Sequence, residues 1–259
     1  MYTKCCGWLV LAFGLTIEIV AAEPLFQNSV VSNDLEFIRS DDPSVFACFS
    51  YLGERTQEMP GHSSDELIAN GVFSYRLDFT DGVSVQAWVH YDVVSEDAAR
   101  DLVRLLGLQF GRIPTILRKE VRHVVIHAGD GSAFAEDRGG FFVLYADNMA
   151  ARIANHDLEE TLFHESVHVA LDLDHAAAPL WRDAQRADGE FITQYAERLP
   201  EREDLAESAL FAYAMIKYEG RLPSTIEQSV KTLIPNRLAY IEPLFSGPTF
   251  TRVGPEPDC

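Results

Sequence analysis

The sequence predicts an α+β protein, because patterns typical of strands come first and patterns typical of helices follow. Residues 23–156 contain runs in which apolar and polar residues alternate, and residues 157–259 carry apolar residues at helical spacing. No internal repeat, low-complexity run or long linker divides the 259 residues, of which 47% are hydrophobic. We therefore expect a single domain over residues 23–259 with a sizeable core.

The clearest local structure is a hairpin within VFSYRLDFTDGVSVQAWVHY. Apolar residues alternate with polar ones on both sides of Asp81-Gly82. A two-residue turn there would put the two apolar sets on opposite faces, whereas a three-residue turn, Thr80-Asp81-Gly82, pairs Phe79 with Val83 and unites them. The shared apolar face favours the three-residue turn with Gly82 in a left-handed conformation.

The remaining elements follow from periodicity and capping residues. Ser95 is predicted to cap a helix, and strands are predicted at 121–127 and 139–146. Asp157 and Glu160 are predicted to form a capping box for the next helix. The first helix should bury the stripe Ala98, Leu102, Leu105 and Leu106. Later helices are expected at 179–199, at 200–220 and from Ser224.

The N-terminus predicts an export signal. Lys4, an apolar stretch and small residues at its end indicate cleavage near Ala22, which would make residues 1–22 a signal peptide and the protein secreted or periplasmic. An N-terminal core helix is the alternative. Cleavage would leave Cys48 and Cys259, which are then expected to form a disulfide in an oxidising compartment.

Charge and hydropathy exclude two classes of partner. The formal net charge is −19, and an acidic surface repels phosphate backbones, so nucleic acid is not expected. No run of eighteen uncharged apolar residues occurs, so no membrane span is expected either.

Two histidines four residues apart occupy the apolar run LEETLFHESVHVALD, residues 158–172. On a helix, residues i and i+4 differ in direction by about 40°, so His164 and His168 project from one face. Two imidazoles so placed can bind one zinc ion, and Glu165 beside them can take a proton from water. This H-E-x-x-H pattern predicts one Zn²⁺ per chain, with Glu165 as general base.

A catalytic zinc site needs a third protein ligand. Asp174 is one candidate from the longer pattern H-E-x-x-H-x-x-G-x-x-H, although Leu171 stands where that pattern has glycine. The better candidates are Glu203 and Glu207, which share one face of a predicted helix. Glu207 lies among apolar residues and needs a compensating partner, which a cation or an imidazole N–H would provide.

HESVH followed by FITQYAERLPEREDLAES resembles the gluzincins, the zincins in which a glutamate on a later helix completes the site. Glu203, Ala206 and Glu207 match the E-x-x-A-E pattern of lethal-factor-like metallopeptidases. The resemblance covers residues 157–216 and implies a zincin-like fold, with Glu203 binding zinc and Glu207 supporting a ligand histidine. Tyr195 resembles the tyrosine that those enzymes aim at the reaction centre.

We therefore expect a secreted zinc peptidase whose peptide or protein substrate lies along an edge strand, with residues 141–145 predicted as that strand. Tyr195 would donate to the developing oxyanion. The alternative is a secreted binding protein with a zinc site that has no catalytic role. A structural zinc site usually has four protein ligands, and no convincing fourth is present in the sequence.

Overall fold

A computed structural model describes residues 23–61 and 67–246. The predicted signal peptide at 1–22 and one partner of the predicted disulfide, Cys259, lie outside the described residues. Export and the bridge to Cys48 therefore stay predictions. Within the described residues a mixed sheet and nine α-helices are present, which is compatible with the predicted α+β class.

The sheet has six strands in the part of the chain that the structure describes, in the order β1-β2-β3-β4-β6-β5. β1 to β3 pair antiparallel, β3, β4 and β6 are parallel, and β5 is antiparallel to β6. The bounds are β1 Phe46–Glu58, β2 Ile68–Phe79, β3 Ser84–Val89, β4 His123–His127, β5 Phe134–Glu136 and β6 Phe141–Tyr145.

The predicted three-residue turn between β2 and β3 is confirmed. Phe79 N–H donates to Val83 O at 3.0 Å, and Gly82 has a φ of +89°. The two apolar sets therefore share one face and are buried together: Tyr75, Leu77, Phe79, Val85, Ala87 and Val89.

Helix α1, Glu96–Phe110, follows β3 and packs against β1 and β2. Ser95 Oγ accepts from Ala98 N at 3.2 Å, so the predicted cap is confirmed. The predicted apolar stripe is partly correct: Leu106 is buried, but Ala98 is exposed and Leu102 and Leu105 are half-buried. The fully buried face consists of Ala99, Val103, Leu106, Gly107 and Phe110. Gly107 supplies the reason, since a side chain there would clash with the Phe46 ring of β1.

Two short helices, α2 Thr115–Arg118 and α3 Ala146–Ala154, precede the helix with the histidine motif, α4 Leu158–Leu171. Helix α4 begins where expected, but the predicted capping box does not form. Asp157 accepts from Arg152 Nη1 at 3.0 Å instead, and Glu160 accepts from the backbone N–H groups of Phe37 and Ile38. Tertiary partners have replaced the local ones.

The chain after α4 is helical in the described residues. A π-helical turn, Asp172–Ala176, continues α4. The single helix predicted at 179–199 is interrupted, because Gly189 takes a left-handed φ of +73° and ends α5. The remaining bounds are α5 Pro179–Asp188, α6 Gln194–Arg198, α7 Asp204–Lys217, α8 Ser224–Leu233 and α9 Pro235–Phe245.

The predicted edge strand at 141–145 is not an edge. β6 pairs with β4 on one side and with β5 on the other, so β5 is the outer strand at this side of the described sheet. The sequence of β5, FAE, is too short to give a clear alternating pattern, so the sequence indicates β6 and not β5 as a strand. Helix α4 packs against both strands.

Helix α9 is joined to α5 and α7 by a fully buried arginine. Arg237 Nε donates to Asp188 at 3.0 Å, and its Nη1 donates to Asp204 at 2.6 Å. Arg237 Nη2 donates to the carbonyl oxygen of Glu190. Asp204 directly follows Glu203 in the chain, so the Arg237 network also fixes the position of that residue.

We expect Arg237→Met to lower the free energy of unfolding by about 3–5 kcal/mol, because two buried carboxylates would lose their counter-charge. Urea denaturation measures the change. Arg186→Met is the matched control, since the Arg186–Asp183 pair is largely exposed and such pairs contribute about 1 kcal/mol or less. Equal losses in both variants would contradict a stabilising role for the buried network.

No helix in residues 23–61 and 67–246 is both long enough and apolar enough to span a membrane.

Candidate metal centre

Helix α4 runs through the interior of the protein. Every residue from Leu158 to Leu171 except Ala170 is buried, including His164, Glu165 and His168. A buried polar side chain costs free energy unless it has a partner. The question for this helix is therefore what each of these three side chains contacts.

The two histidines and Glu203 meet at one point. His164 Nε2 and His168 Nε2 lie 3.1 Å apart, and each lies 3.3 Å from Glu203 Oε2. The i, i+4 spacing on α4 places the two imidazoles side by side. Glu203 directly precedes α7, and its side chain reaches both of them. These three buried residues form a group that could hold a metal ion.

The backbone around Glu203 explains its placement. Its N–H donates to Leu199 O at 2.8 Å, and its carbonyl accepts from Glu207 N at 2.9 Å. Glu203 thus lies in a tight turn that leads into α7, which packs against α4. The Asp204–Arg237 contact holds the next residue in place.

In each histidine, Nδ1 is the ring nitrogen that does not face Glu203 Oε2, and it lies near a second carboxylate. His168 Nδ1 lies 2.7 Å from Asp172 Oδ2, and His164 Nδ1 lies 3.5 Å from Glu207 Oε1. A carboxylate there favours the tautomer with the proton on Nδ1, which leaves both Nε2 lone pairs pointing at Glu203. Two such lone pairs and a carboxylate oxygen within 3.3 Å repel one another unless a proton or a metal cation lies between them.

The electrostatics agree with a site that attracts cations. Burial lowers the pKa of His168, but hydrogen bonds to Asp172 and Glu203 outweigh it and raise that pKa to about 10. Burial opposes ionisation of Glu203, yet the hydrogen bonds to His164 and His168 hold its pKa well below the usual range. The carboxylates therefore place a strong negative field on both imidazoles.

Glu165 and Tyr195 lie close to this group. Burial raises the pKa of Glu165, and the charges of His164 and His168 act on it in the opposite direction. Burial and the charge of Glu203 raise the pKa of Tyr195, which lies in α6, so its hydroxyl keeps its proton and can donate.

Asp174, the other candidate for third ligand, is exposed in the turn after α4 and is not part of the group formed by His164, His168 and Glu203. The neighbouring His175 is engaged elsewhere, with its Nδ1 at 2.8 Å from the hydroxyl of Tyr240.

Glu207 is held by the N-terminal segment as well as facing His164. Its Oε1 accepts from Ser29 Oγ at 2.5 Å, and its Oε2 accepts from Val30 N at 2.8 Å. Burial raises the pKa of Glu207, and contacts with His164, Ser29, Val30 and Thr193 act against that rise. The side chain therefore links the first described segment to the histidine.

Two of these partners were not predicted from the sequence. Asp172 lies four residues after His168, so the i, i+4 rule could have identified it. Ser29 lies 178 positions from Glu207 in the chain, and no local pattern indicates a contact over that distance.

Comparison with protein-family models, with curated proteins and with solved structures finds no match to this chain. The resemblance to gluzincins therefore rests on the motifs alone. The interpretation of the site depends on its own geometry and charges.

We expect Glu207→Gln to keep the fold and to weaken metal retention by roughly 10–100-fold, the usual cost of losing a group that orients a ligand. The amide nitrogen cannot accept a hydrogen bond, so one of the contacts to Ser29, Val30 or His164 is lost. Competition with a chelator measures the affinity, and circular dichroism checks folding. Glu201→Gln, at an exposed position, is the control; equal affinities in the two variants would remove Glu207 from the site.

Proposed function

We propose that the protein is an exported zinc-dependent hydrolase and that its substrates are peptides or proteins. The convergence of His164, His168 and Glu203 beside the buried Glu165 is the observation that carries the proposal. An H-E-x-x-H helix with a glutamate from a later helix is the ligand arrangement of catalytic zinc. One open position for water or substrate would remain.

The residues present fit a zinc ion. Two imidazole nitrogens and one carboxylate oxygen are a ligand set that zinc accepts, and the three atoms lie 3.1–3.3 Å from one another. The carboxylates of Asp172 and Glu207 would fix the imidazole tautomers. A bound zinc ion supplies a Lewis acid that polarises a carbonyl and makes nearby water more acidic.

Glu165 is the residue that we assign as general base. It follows the first ligand histidine directly, is buried in the same helix and interacts electrostatically with His164, His168 and Glu203, which supports a role next to zinc-bound water. There it accepts a proton from water and later delivers it to the leaving amine. The surrounding apolar residues of α4 limit competing contacts with bulk water.

Tyr195 is assigned to the carbonyl oxygen of the substrate. Its hydroxyl stays protonated because burial and the charge of Glu203 raise its pKa. A protonated hydroxyl next to the ligand glutamate can donate to the negative charge that develops on that oxygen during attack.

The substrate strand is assigned to β5. Within the described sheet β5 pairs with β6 on one side only, and α4 packs against β5. An extended peptide can add to the outer side of such a strand through backbone hydrogen bonds. This would place a peptide bond alongside the helix that carries Glu165.

The test is digestion of a peptide library by the purified mature chain, with products identified by mass spectrometry. A variant with both His164→Ala and His168→Ala is the control for contaminating proteases. We expect cleavage by the native chain and none by the control. A native chain that retains zinc but cleaves no peptide would instead support a binding protein with zinc in a structural role.

A further inference from the structure

A second group of metal-binding side chains lies on the other face of the sheet from α4. His90 directly follows β3 and His127 ends β4, and Val89 is paired with Ile126, so the two histidines occupy neighbouring positions on parallel strands. Ile126 belongs to the core that includes α4, and side chains alternate along a strand, so His127 points to the opposite face. There its ring stacks on Tyr145 at 5.8 Å.

Asp92 brings a carboxylate to the two imidazoles. Its Oδ1 lies 3.1 Å from His90 Nδ1, and its Oδ2 lies 3.5 Å from His127 Nδ1. The two rings are 4.7 Å apart between centroids. One ligand atom from each residue falls within 4.8 Å of the others. His90 and His127 are buried and Asp92 is partly exposed, so an ion can reach the group from one side.

The hydrogen bonds around His127 determine which nitrogen faces Asp92 with a lone pair. His127 Nε2 lies 2.9 Å from Pro60 O, and a carbonyl oxygen can only accept, so Nε2 carries the proton. In a neutral ring Nδ1 is then the unprotonated nitrogen. A metal-binding imidazole commonly donates its other N–H to a backbone carbonyl in this way.

His90 shows a similar arrangement. The backbone N–H of Asp92 points at His90 Nδ1 over 3.3 Å, which is a long contact and requires an unprotonated Nδ1. Asp92 Oδ1 itself accepts from Ala128 N at 3.1 Å, which fixes the carboxylate. Two ring nitrogens and a carboxylate thus converge, and a cation among them would be favoured electrostatically.

We propose that His90, Asp92 and His127 form a second metal site, which binds a divalent transition-metal ion such as zinc. Two imidazoles and one carboxylate are a suitable ligand set for that class of ion. The site joins the loop after β3 to the end of β4 and, through Pro60, to the segment after β1. It lies on a different face of the sheet from α4 and does not depend on the proposed hydrolase activity.

The test counts zinc in the untagged native chain and in two conservative variants. His127→Gln keeps a donor for Pro60 O, and Asp92→Asn keeps an acceptor for Ala128 N–H, but each removes a ligand. After stripping with a chelator, the proteins are titrated with zinc against a chromophoric competitor. We expect each variant to bind one equivalent less than the native chain. His123→Gln, four residues earlier on the same face of β4, should bind as much zinc as the native chain.

Equal zinc binding by the native chain and both variants would overturn the second site and would indicate a group neutralised by protons. If the variants fail to fold, anomalous scattering at the zinc edge from crystals of the zinc-loaded native chain decides. A peak among His90, Asp92 and His127 supports the site, and its absence overturns the site. Neither the zinc titration nor the anomalous scattering depends on peptide cleavage. Failure of the proposed hydrolase function would therefore be distinguished from failure of the second site.

Discussion

Replacement of Glu165 by alanine is expected to abolish peptide hydrolysis. The variant should bind as much zinc as the native chain. Glu165 is buried beside the two histidines but is not one of the three residues whose ligand atoms converge. Removing a general base lowers a rate by about 10²–10⁴-fold. The side chain is not needed to hold the metal, so metal and activity should separate in this variant.

Measurement of zinc content and of the peptidase rate on the same preparation checks this expectation. Glu120→Ala, at a half-exposed surface glutamate, serves as the control and should match the native chain in both quantities. A Glu165→Ala protein that cleaves peptides at the native rate would refute the assigned mechanism. Loss of zinc in that variant would instead indicate that Glu165 holds the metal.

The second large effect is expected from Glu203→Ala, which should lose the activity together with the metal at the site formed by His164 and His168. Without Glu203 only the two imidazoles of α4 remain at the site, and two protein ligands make an incomplete zinc site. The loss of affinity should exceed the roughly 10–100-fold expected for a residue that only supports a ligand, as in Glu207→Gln.

Asp174→Ala is the matched comparison, because Asp174 was the competing candidate and is exposed in the turn after α4. It should bind zinc and cleave peptides as the native chain does. Circular dichroism shows whether both variants are folded. Zinc loss in Asp174→Ala, with zinc retained in Glu203→Ala, would reverse the assignment of the third ligand.

The parts of the site that the sequence predicted are those with a local geometric cause. A helix brings residues i and i+4 together wherever it lies, so the adjacent positions of His164 and His168 follow from spacing alone. Glu203 shares a helix face with Glu207, whose apolar surroundings call for a compensating partner, and the resemblance to the E-x-x-A-E pattern implied that Glu203 is the ligand. In the structure its Oε2 lies 3.3 Å from both imidazoles.

The parts that the sequence did not predict depend on contacts between distant segments. The contact between Ser29 and Glu207 spans 178 positions. Glu160 could have completed a local cap, but the backbone of Phe37 and Ile38, brought close by the fold, provides its donors instead. The group formed by His90, Asp92 and His127 requires β3 and β4 to be parallel neighbours, and strand order is not encoded in a local pattern.

Strand patterns showed the same limit. The hairpin register was predictable, because a three-residue turn unites the two apolar sets and a two-residue turn separates them. The outer strand was not predictable. β5 has only three residues and shows no alternation of apolar and polar residues, whereas the sequence of β6 is typical of a strand at any position in a sheet.

The most direct test of the central claim is removal and restoration of the metal in the native chain. Peptidase activity is measured after dialysis against a chelator and again after addition of zinc, with magnesium as the comparison because its preferred ligands are oxygens in octahedral geometry. We predict that chelation abolishes cleavage, that zinc restores it and that magnesium does not. Full activity in the chain that has been freed of metal would contradict the account.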